Sequence, residues 1–468
     1  MDFHYIEKLI LRVFVLRKTD VVLIVLFLIA IIIGATSLYY ALNLADAIGN
    51  LGGKIEGVET GIKGLDSKVS DLWKEVFGKP PVKPPPLEGQ ILRIGLVLPL
   101  TGPQAPFGLR AKWGSEWAAE KINEAGGILG AKIQLFVEDN AGDPKVTVSA
   151  VEKLITVDKC QVIRVSHLSG CILAGMEVTE KYEIPLVTIC GAADDITRKG
   201  YKYIFRIGPN GTIACLDDIA FMKEYIKPKR VAIIHDPAVY AVQVRDAFIQ
   251  LTEKLKPGWE IVSIESYPAG TVDFRPLLMK VKEAKPDYLY VLPFITEGAL
   301  IVKQFRELGF EIPMQVSAAC NVLDYLRLVG RDGLGIFVAV EYWSDIQYPD
   351  PKVIREMAVE CWNRYKAALD KDFIAAYVGT YVIAKAVELA QSLDPKKIAD
   401  ALRQVRIDLP YYGKDLHFYP NGQFTWNMYM GQIQWARPDE PWNVDGLTFH
   451  IVYPPPCNST VPIMGLKP

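Results

Sequence analysis

A chain of 468 residues, 50% of them hydrophobic, with a formal net charge of -2, holds more than one ordinary domain and enough apolar material for two cores. So even a charge balance lacks the electrostatic footprint of a nucleic-acid binder, and no nucleic-acid partner is expected. Seven cysteines (Cys160, Cys171, Cys190, Cys215, Cys320, Cys361 and Cys457) form no CxxC pair, and the five histidines never stand at metal-ligand spacing. Neither a metal nor another cofactor is therefore expected; an odd thiol count leaves at least one unpaired, with one or two disulfides open.

The first predicted element covers residues 21–42. Val21 to Ala45 carry no charge, and about 20 apolar residues at ~1.5 Å each cross a ~30 Å hydrocarbon core. Lys8, Arg12, Arg17 and Lys18 precede the segment, and Asp46 is the first charge after it. By the positive-inside rule residues 1–20 form a cytoplasmic tail and the remainder lies outside. The run is long for a cleaved signal peptide and closes on no small-x-small site, which predicts a single transmembrane helix kept as a signal anchor.

Residues 43–78 follow as a helical stalk. Leu44, Ile48, Leu51, Ile55, Val58, Ile62, Leu65, Val69, Leu72 and Val76 recur at alternating steps of four and three. That seam suits a parallel two-stranded coiled coil and hence a homodimer through the stalk. Gly49, Gly52, Gly53, Gly57, Gly61 and Gly64 oppose it, each costing a helix about 1 kcal/mol relative to alanine. A single amphipathic helix lying on the membrane or on the protein is the other reading. Pro80, Pro81, Pro84, Pro85 and Pro86 then make residues 79–90 a semi-rigid extended spacer.

From Ile91 strands and helices alternate. Strands are predicted over 91–98, 132–138, 161–165 and 185–189, with helices over 110–125, 143–157 and 172–182 between them. The rhythm pauses near 205–209 and restarts. Strands at 230–235, 260–267 and 287–292 then alternate with helices at 240–255, 273–284 and 297–308. A strand near 335–341 and long helices at 351–369 and 372–392 complete the pattern. Two successive βαβ series predict an α/β protein of two doubly wound, mainly parallel lobes, joined by several hinge strands. The bounds expected are 91–208 plus about 345–412 for the first lobe and 209–343 plus about 413–450 for the second, with a C-terminal tail over 451–468. A ligand belongs where the carboxyl ends of both sets of strands face a shared cleft.

Several strings carry a resemblance. Ile94 to Leu100 with Thr101-Gly102-Pro103 and Phe107-Gly108, then KINEAGGILG from Lys121, IQLFVEDNAGDPK from Ile133, GYKYIFR from Gly200, SYPAGTVDF from Ser266 and YPNGQF from Tyr419, resemble in order and spacing the type I periplasmic solute-binding proteins, leucine/isoleucine/valine-binding branch. The resemblance covers about residues 91–450. It implies a non-enzymatic binding component of an ABC importer, with an amino acid or analogue as ligand and membrane permease subunits as partners.

In that family a hydroxyl and backbone N–H groups at strand-to-helix turns of the first lobe hold the ligand carboxylate. The matching turns are SHLSGC, from Ser166 to Cys171, and CGAAD, from Cys190 to Asp194. Helix starts suit an anion through unpaired donors and the helix dipole. Ser169 is expected to supply the hydroxyl, Gly191, Ala192 and Ala193 the backbone groups, and Cys171 lies in the same turn. From the second lobe the resemblance implies Tyr240 and Glu297, the latter on the ligand ammonium. Phe107 and Trp343 are expected as apolar walls.

Three features depart from the family pattern: Cys171 with Ile172 in the first turn, Asp194 where a carboxylate would be repelled, and Arg164 where a small or apolar residue is normal. No GxSxG, HExxH or phosphate-binding glycine loop is present, so no enzyme is expected. A ligand-sensing ectodomain working through a separate signalling partner is the alternative function.

Overall fold

The computed structural model describes residues 85–465; the expected cytoplasmic tail, anchor, stalk and first half of the spacer fall outside the described residues. The folded part begins slightly before Ile91, because Leu87 is already buried and donates its N–H to Leu129 O at 2.9 Å.

The first lobe opens with β1 (Ile91–Leu98), α1 (Ala105–Glu124), β2 (Lys132–Asp139), α2 (Pro144–Thr156), β3 (Val162–Val165), α3 (Ser169–Tyr182), β4 (Leu186–Thr188), the short α4 (Asp195–Arg198) and β5 (Ile204–Arg206). All strands are parallel, in the order β2-β1-β3-β4-β5. Every residue of β3, β4 and β5 is buried, as expected of parallel strands covered on both faces, although Arg164 and Arg206 interrupt the apolar runs. The resemblance strings turn out to interlock. Asp139, ending β2, accepts from Leu100 N and Ala141 N, each at 2.8 Å, and from the Thr101 hydroxyl at 2.6 Å. Asp143 caps α2 by accepting from the N–H groups of Lys145 and Val146, with Pro144 at the first helical position.

The second lobe repeats the winding. It comprises α5 (Gly211–Phe221), β6 (Arg230–His235), α6 (Val239–Leu255), β7 (Glu260–Ser266), α7 (Arg275–Glu283), β8 (Tyr288–Leu292), α8 (Ile295–Glu307), β9 (Met314–Val316), α9 (Leu323–Val329) and β10 (Phe337–Val340). The parallel order β7-β6-β8-β9-β10 mirrors the first sheet, and β13 (Tyr429–Trp435) and β14 (Leu447–Tyr453) extend it antiparallel. Part of the expected C-terminal tail is therefore strand, and Ile463 N still donates to Gln432 Oε1 at 2.9 Å.

Between β10 and β13 the chain returns to the first lobe as α10 (Pro351–Tyr365), α11 (Lys371–Ala390), α12 (Pro395–Leu402) and the hairpin of β11 (Arg406–Leu409) and β12 (Gly413–His417). Trp117 of α1 meets Phe373 and Tyr377 of α11 edge-on, at ring separations of 5.7 and 5.3 Å. The chain stays with the first lobe through about residue 424: Phe418 packs on Phe205, and Phe424 N donates to Arg206 O at 2.8 Å. The elements not expected from sequence, β5, α4, α5, β9, α9, α12 and the strands β11 to β14, are mostly three- to eight-residue pieces or connections without clear periodicity. By length and composition α11 could cross a membrane, yet it is buried against α1. All seven cysteines are buried and unpaired.

Arg164 is the oddity of the first core. It is fully buried on β3, and its guanidinium donates to Ser115 Oγ at 2.7 Å, Ala376 O at 3.1 Å and Thr380 Oγ1 at 3.3 Å, with no carboxylate paired to it among the described residues. Burial pushes it down to about 9, a sign of how poorly the charge is solvated. Ser115 and Thr380 keep backbone acceptors of their own, Ala111 O and Ala376 O, so removing the guanidinium strands no donor. Arg164→Met is expected to raise stability by about 1–3 kcal/mol, read as a higher urea midpoint; a lower midpoint would show that these hydrogen bonds outweigh desolvation.

Candidate functional site

The carboxyl ends of both parallel sheets meet a common cavity, with about 680 Å³ of space between atoms, its mouth included. Its first wall comes from the turns after β3, β4 and β5 (His167, Leu168, Ser169, Cys190, Gly191, Ala192, Pro209). Its second comes from α5, α6 and the turns after β8 and β9 (Ala214, Asp218, Tyr240, Val244, Phe294, Ser317), and the hinge adds Glu341, Lys371 and Met428.

The turn after β4 is shaped by Arg206. This buried side chain donates to Gly191 O at 2.8 Å, Ala193 O at 2.7 Å, Thr197 Oγ1 at 2.9 Å and, through Nε, to Gln423 Oε1 at 2.8 Å. In a trans peptide C=O and N–H point in opposite directions. Holding Gly191 O therefore turns the Ala192 N–H away from the guanidinium, on a residue that lines the cavity. Gly191 sits at φ +101, and a Cβ there would fall 2.4 Å from the Ile172 side chain, so glycine is required. Ser169 begins α3, whose N-cap residue, Leu168, offers no side-chain cap; its hydroxyl accepts from Ala193 N at 3.2 Å, leaving its proton to donate.

Two acids, a lysine and a histidine line the cavity. Burial pushes the Asp218 carboxyl up to about 7, against the hydrogen bonds of Tyr290 and Gln315; the Tyr290 hydroxyl lies 2.8 Å from Oδ2. Burial likewise raises Glu341, with Lys371 opposing. Lys371 Nζ stands 3.8 Å from Glu341 and 3.3 Å from Asp372. Burial alone would raise Asp372, but the charge of Lys371 and a hydrogen bond from His167 bring it below the ordinary carboxylate range. Burial lowers His167 in spite of Asp372, so the imidazole is neutral; its backbone takes φ +78, a conformation that non-glycine residues rarely hold.

The residues expected from sequence separate into two groups. Ser169, Gly191, Ala192 and Tyr240 are brought together on the cavity walls. Ala193 is buried just behind them, its N–H spent on Ser169. The Cys171 side chain points into a core with Ile172 and Met176, because the first turn of α3 faces it away from the cleft; only its backbone remains near. Trp343 does not wall the cavity: it is fully buried with its ring edge-on to Phe449 at 4.8 Å. Phe107 is also buried behind the wall, stacked on His167 at 3.6 Å. Glu297, half-buried in the first turn of α8, is not among the lining residues; after burial, the charges of Asp236 and Cys320, its own is felt at the Tyr240 hydroxyl. Asp194 is engaged by the N–H and hydroxyl of Thr212, at 3.2 and 2.5 Å, so it acts as a brace between turns. Asp218, Glu341, Lys371 and Tyr290 were not expected. One signal was available: Asp370, Lys371 and Asp372 are three charges opening an otherwise apolar helix.

The lobes touch across the cleft. Gln243 of α6 donates to Asp195 Oδ2 at 2.7 Å and accepts from Asp195 N at 3.2 Å, and Arg110 of α1 pairs with Asp324 of α9.

Residues 91–439 match the family described as periplasmic binding protein. The leucine-, isoleucine-, valine-, threonine- and alanine-binding protein of Pseudomonas aeruginosa is 28% identical over 328 residues, covering 68% of this chain and 84% of its own. The Leu/Ile/Val-binding protein of Escherichia coli is 27% identical over 347 residues, covering 72% and 91%. Among solved structures, a leucine-binding protein of Thermotoga maritima superimposes with a TM-score of 0.68 at 22% identity, over 78% of this chain and 99% of that one. A solute-binding protein of Rhodopseudomonas palustris in complex with 3,4-dihydroxybenzoic acid gives 0.67 at 21%, over 81% and 98%. These two likenesses speak for the fold.

Asp218 also sets a pH signature on stability. Its carboxyl titrates at about 7 folded against 3.8 ordinarily, so the folded state holds the extra proton. That contribution is complete below about pH 4 and is lost as pH rises through about 7. Asp218→Asn should flatten the decline and raise stability at about pH 8 by on the order of 1–2 kcal/mol, seen as a higher melting temperature without ligand. A variant that melts lower at that pH would contradict it.

Proposed function

Because the chain belongs to the periplasmic binding protein family, we propose that it is the extracytoplasmic solute-binding component of an ABC importer and takes an amino acid of branched-chain type between its lobes. The observation that carries this reading is the polarity of the cavity: a hydroxyl and turn N–H groups on one wall, a buried carboxylate on the other, and apolar side chains between them. A zwitterion with an aliphatic tail matches all three. Relatives named for leucine, isoleucine and valine binding in two organisms support the same class.

In this reading the ligand carboxylate meets the Ser169 hydroxyl and the backbone of Gly191 and Ala192, where the dipole of α3 adds to the attraction. The ammonium meets Asp218, with Glu341 nearby, rather than Glu297. Tyr240, Val244, Phe294 and Met428 surround the tail. Solute first settles on one lobe, and hinge closure then brings the other over it. Gln243 with Asp195 and Arg110 with Asp324 are the contacts that closure makes. The closed form is what membrane permease subunits, driven by cytoplasmic ATPases, recognise; the binding lobes stand outside the cytoplasm.

The test is calorimetry on the full chain in detergent with aliphatic, polar and charged amino acids and with benzoates. An aliphatic amino acid should bind, and its affinity should fall by up to about tenfold per unit as pH drops below about 7, where Asp218 takes up a proton and loses its charge. Asp218→Asn should weaken binding by about 1.5–3 kcal/mol and abolish that pH dependence. Absence of any amino-acid binding, or a benzoate held equally well by Asp218→Asn, would overturn the proposal.

A further inference from the structure

Three donor atoms from distant parts of the chain converge on the first wall of the cavity. His167 Nδ1 lies 3.2 Å from Asp372 Oδ1, Cys190 Sγ lies 3.7 Å from His167 Nδ1, and Cys190 Sγ lies 3.7 Å from Asp372 Oδ1. All three residues are buried, at 8%, 4% and 0% exposure or less for the His, Cys and Asp in turn. An ion with bonds of about 2.0–2.3 Å to nitrogen, oxygen and sulfur at tetrahedral angles separates its donors by about 3.3–3.6 Å. The triangle is one face of such a tetrahedron. We infer that His167, Cys190 and Asp372 form a binding site for a divalent ion of the zinc class, with its fourth position reached from the cavity that His167 and Cys190 line.

The surroundings favour an ion over the two simpler readings. A nucleophile relay needs the carboxylate on one imidazole nitrogen and the thiol on the other; here both face Nδ1. A plain core contact does not require the ring to be fixed, yet Phe107 stacks on the imidazole with planes 14° apart. Lys371 holds the outer oxygen of Asp372 at 3.3 Å, which leaves Oδ1 aimed at the other two donors. Such outer contacts orient metal ligands. On binding, the thiol releases its proton to solvent and the imidazole keeps its proton on Nε2. Uptake of the dication against release of one thiol proton adds one positive charge to the site, which an anionic solute group in the fourth position offsets. A sulfur donor disfavours magnesium and calcium and suits zinc or cobalt. The spacing in sequence, 167, 190 and 372, is why no ligand motif is visible there.

The ion site stands on these three donors alone; only the further step, that a solute carboxylate takes the fourth position, rests on the amino-acid reading above. The full chain is purified with a reductant, stripped by a chelator and titrated with Co²⁺. One equivalent should bind with a thiolate-to-cobalt charge-transfer band and visible bands of tetrahedral cobalt. Cys190→Ser should lose the charge-transfer band, and His167→Ala should weaken binding at least tenfold. Cys361→Ala, at a buried thiol outside the cluster, should leave both unchanged. Far-UV circular dichroism checks each fold; should Cys190→Ser not fold, the loss in His167→Ala and the band in Cys361→Ala decide. No band in the wild-type protein, or a band that survives Cys190→Ser, overturns the site. Leucine binding by stripped protein that shows no cobalt band sinks the ion alone. A cobalt band without amino-acid binding spares the ion and sinks the amino-acid reading.

Discussion

The architecture of the cleft depends on one buried cation that meets no carboxylate. Arg206 gives its protons to two backbone carbonyls of the turn after β4, to Thr197 and to Gln423. Bringing a guanidinium into a core costs several kcal/mol unless its donors are met, and neutral carbonyl dipoles meet them only while the turn keeps its shape. The turn is thus held from behind, and its peptide planes are set before a ligand arrives. Because Gln423 lies on the last hinge crossing and also donates to Gly208 O on the first, at 2.8 Å, the same side chains tie the binding turn to the hinge. A site whose donors are fixed in advance loses less on binding than one that must order itself.

The opposite problem is posed by the start of α11. Asp370, Lys371 and Asp372 are all buried at the head of a helix that is otherwise apolar, a place where burial on this scale is costly for charges. Each charge is answered from another element: Asp370 by Arg110 of α1 at 2.6 Å, Lys371 by Glu341 beyond β10, and Asp372 by His167 beyond β3. Those partners come from the first lobe and the hinge, and Arg110 reaches on to Asp324 of the second lobe. The helix start is therefore where the parts of the cleft are joined electrostatically, and removing Lys371 would leave Glu341 and Asp372 buried without their cation.

This division explains what could be seen in the sequence. The aliphatic strands and the turn-borne residues Ser169, Gly191, Ala192 and Tyr240 belong to local strings, where a strand ends and a helix begins within a few positions. Their placement follows from the winding rule that puts strand ends at the cleft. Asp218 lies mid-helix, and Glu341 and Lys371 flank a crossing; their meeting is a product of topology, which no local pattern carries. Trp343 and Phe107 read as ligand walls because large apolar side chains near a cleft serve equally as core. Glu297 carried the mark of a helix start, where an acid is favourable for the dipole alone. His167 and Cys190, 23 positions apart, needed the fold to meet Asp372.

Away from the hinge, Gln243 with Asp195 and Arg110 with Asp324 join the lobes across the cleft, and the chemistry of these pairs bears on the proposed closure. Gln243 with Asp195 is a two-hydrogen-bond pair at a partly buried edge, of the order of 1 kcal/mol per bond. Arg110, by contrast, already owns a fully buried partner in Asp370, so opening the cleft would free Asp324 without orphaning the arginine. Both contacts can be made and broken at small cost, whereas Arg206 and the α11 charges cannot. The energetics thus separate rigid walls from a reversible latch. In the proposed reading, a solute that bridges Ser169 and Asp218 would add a third link between the lobes, and that differential interaction would shift the population toward the closed form.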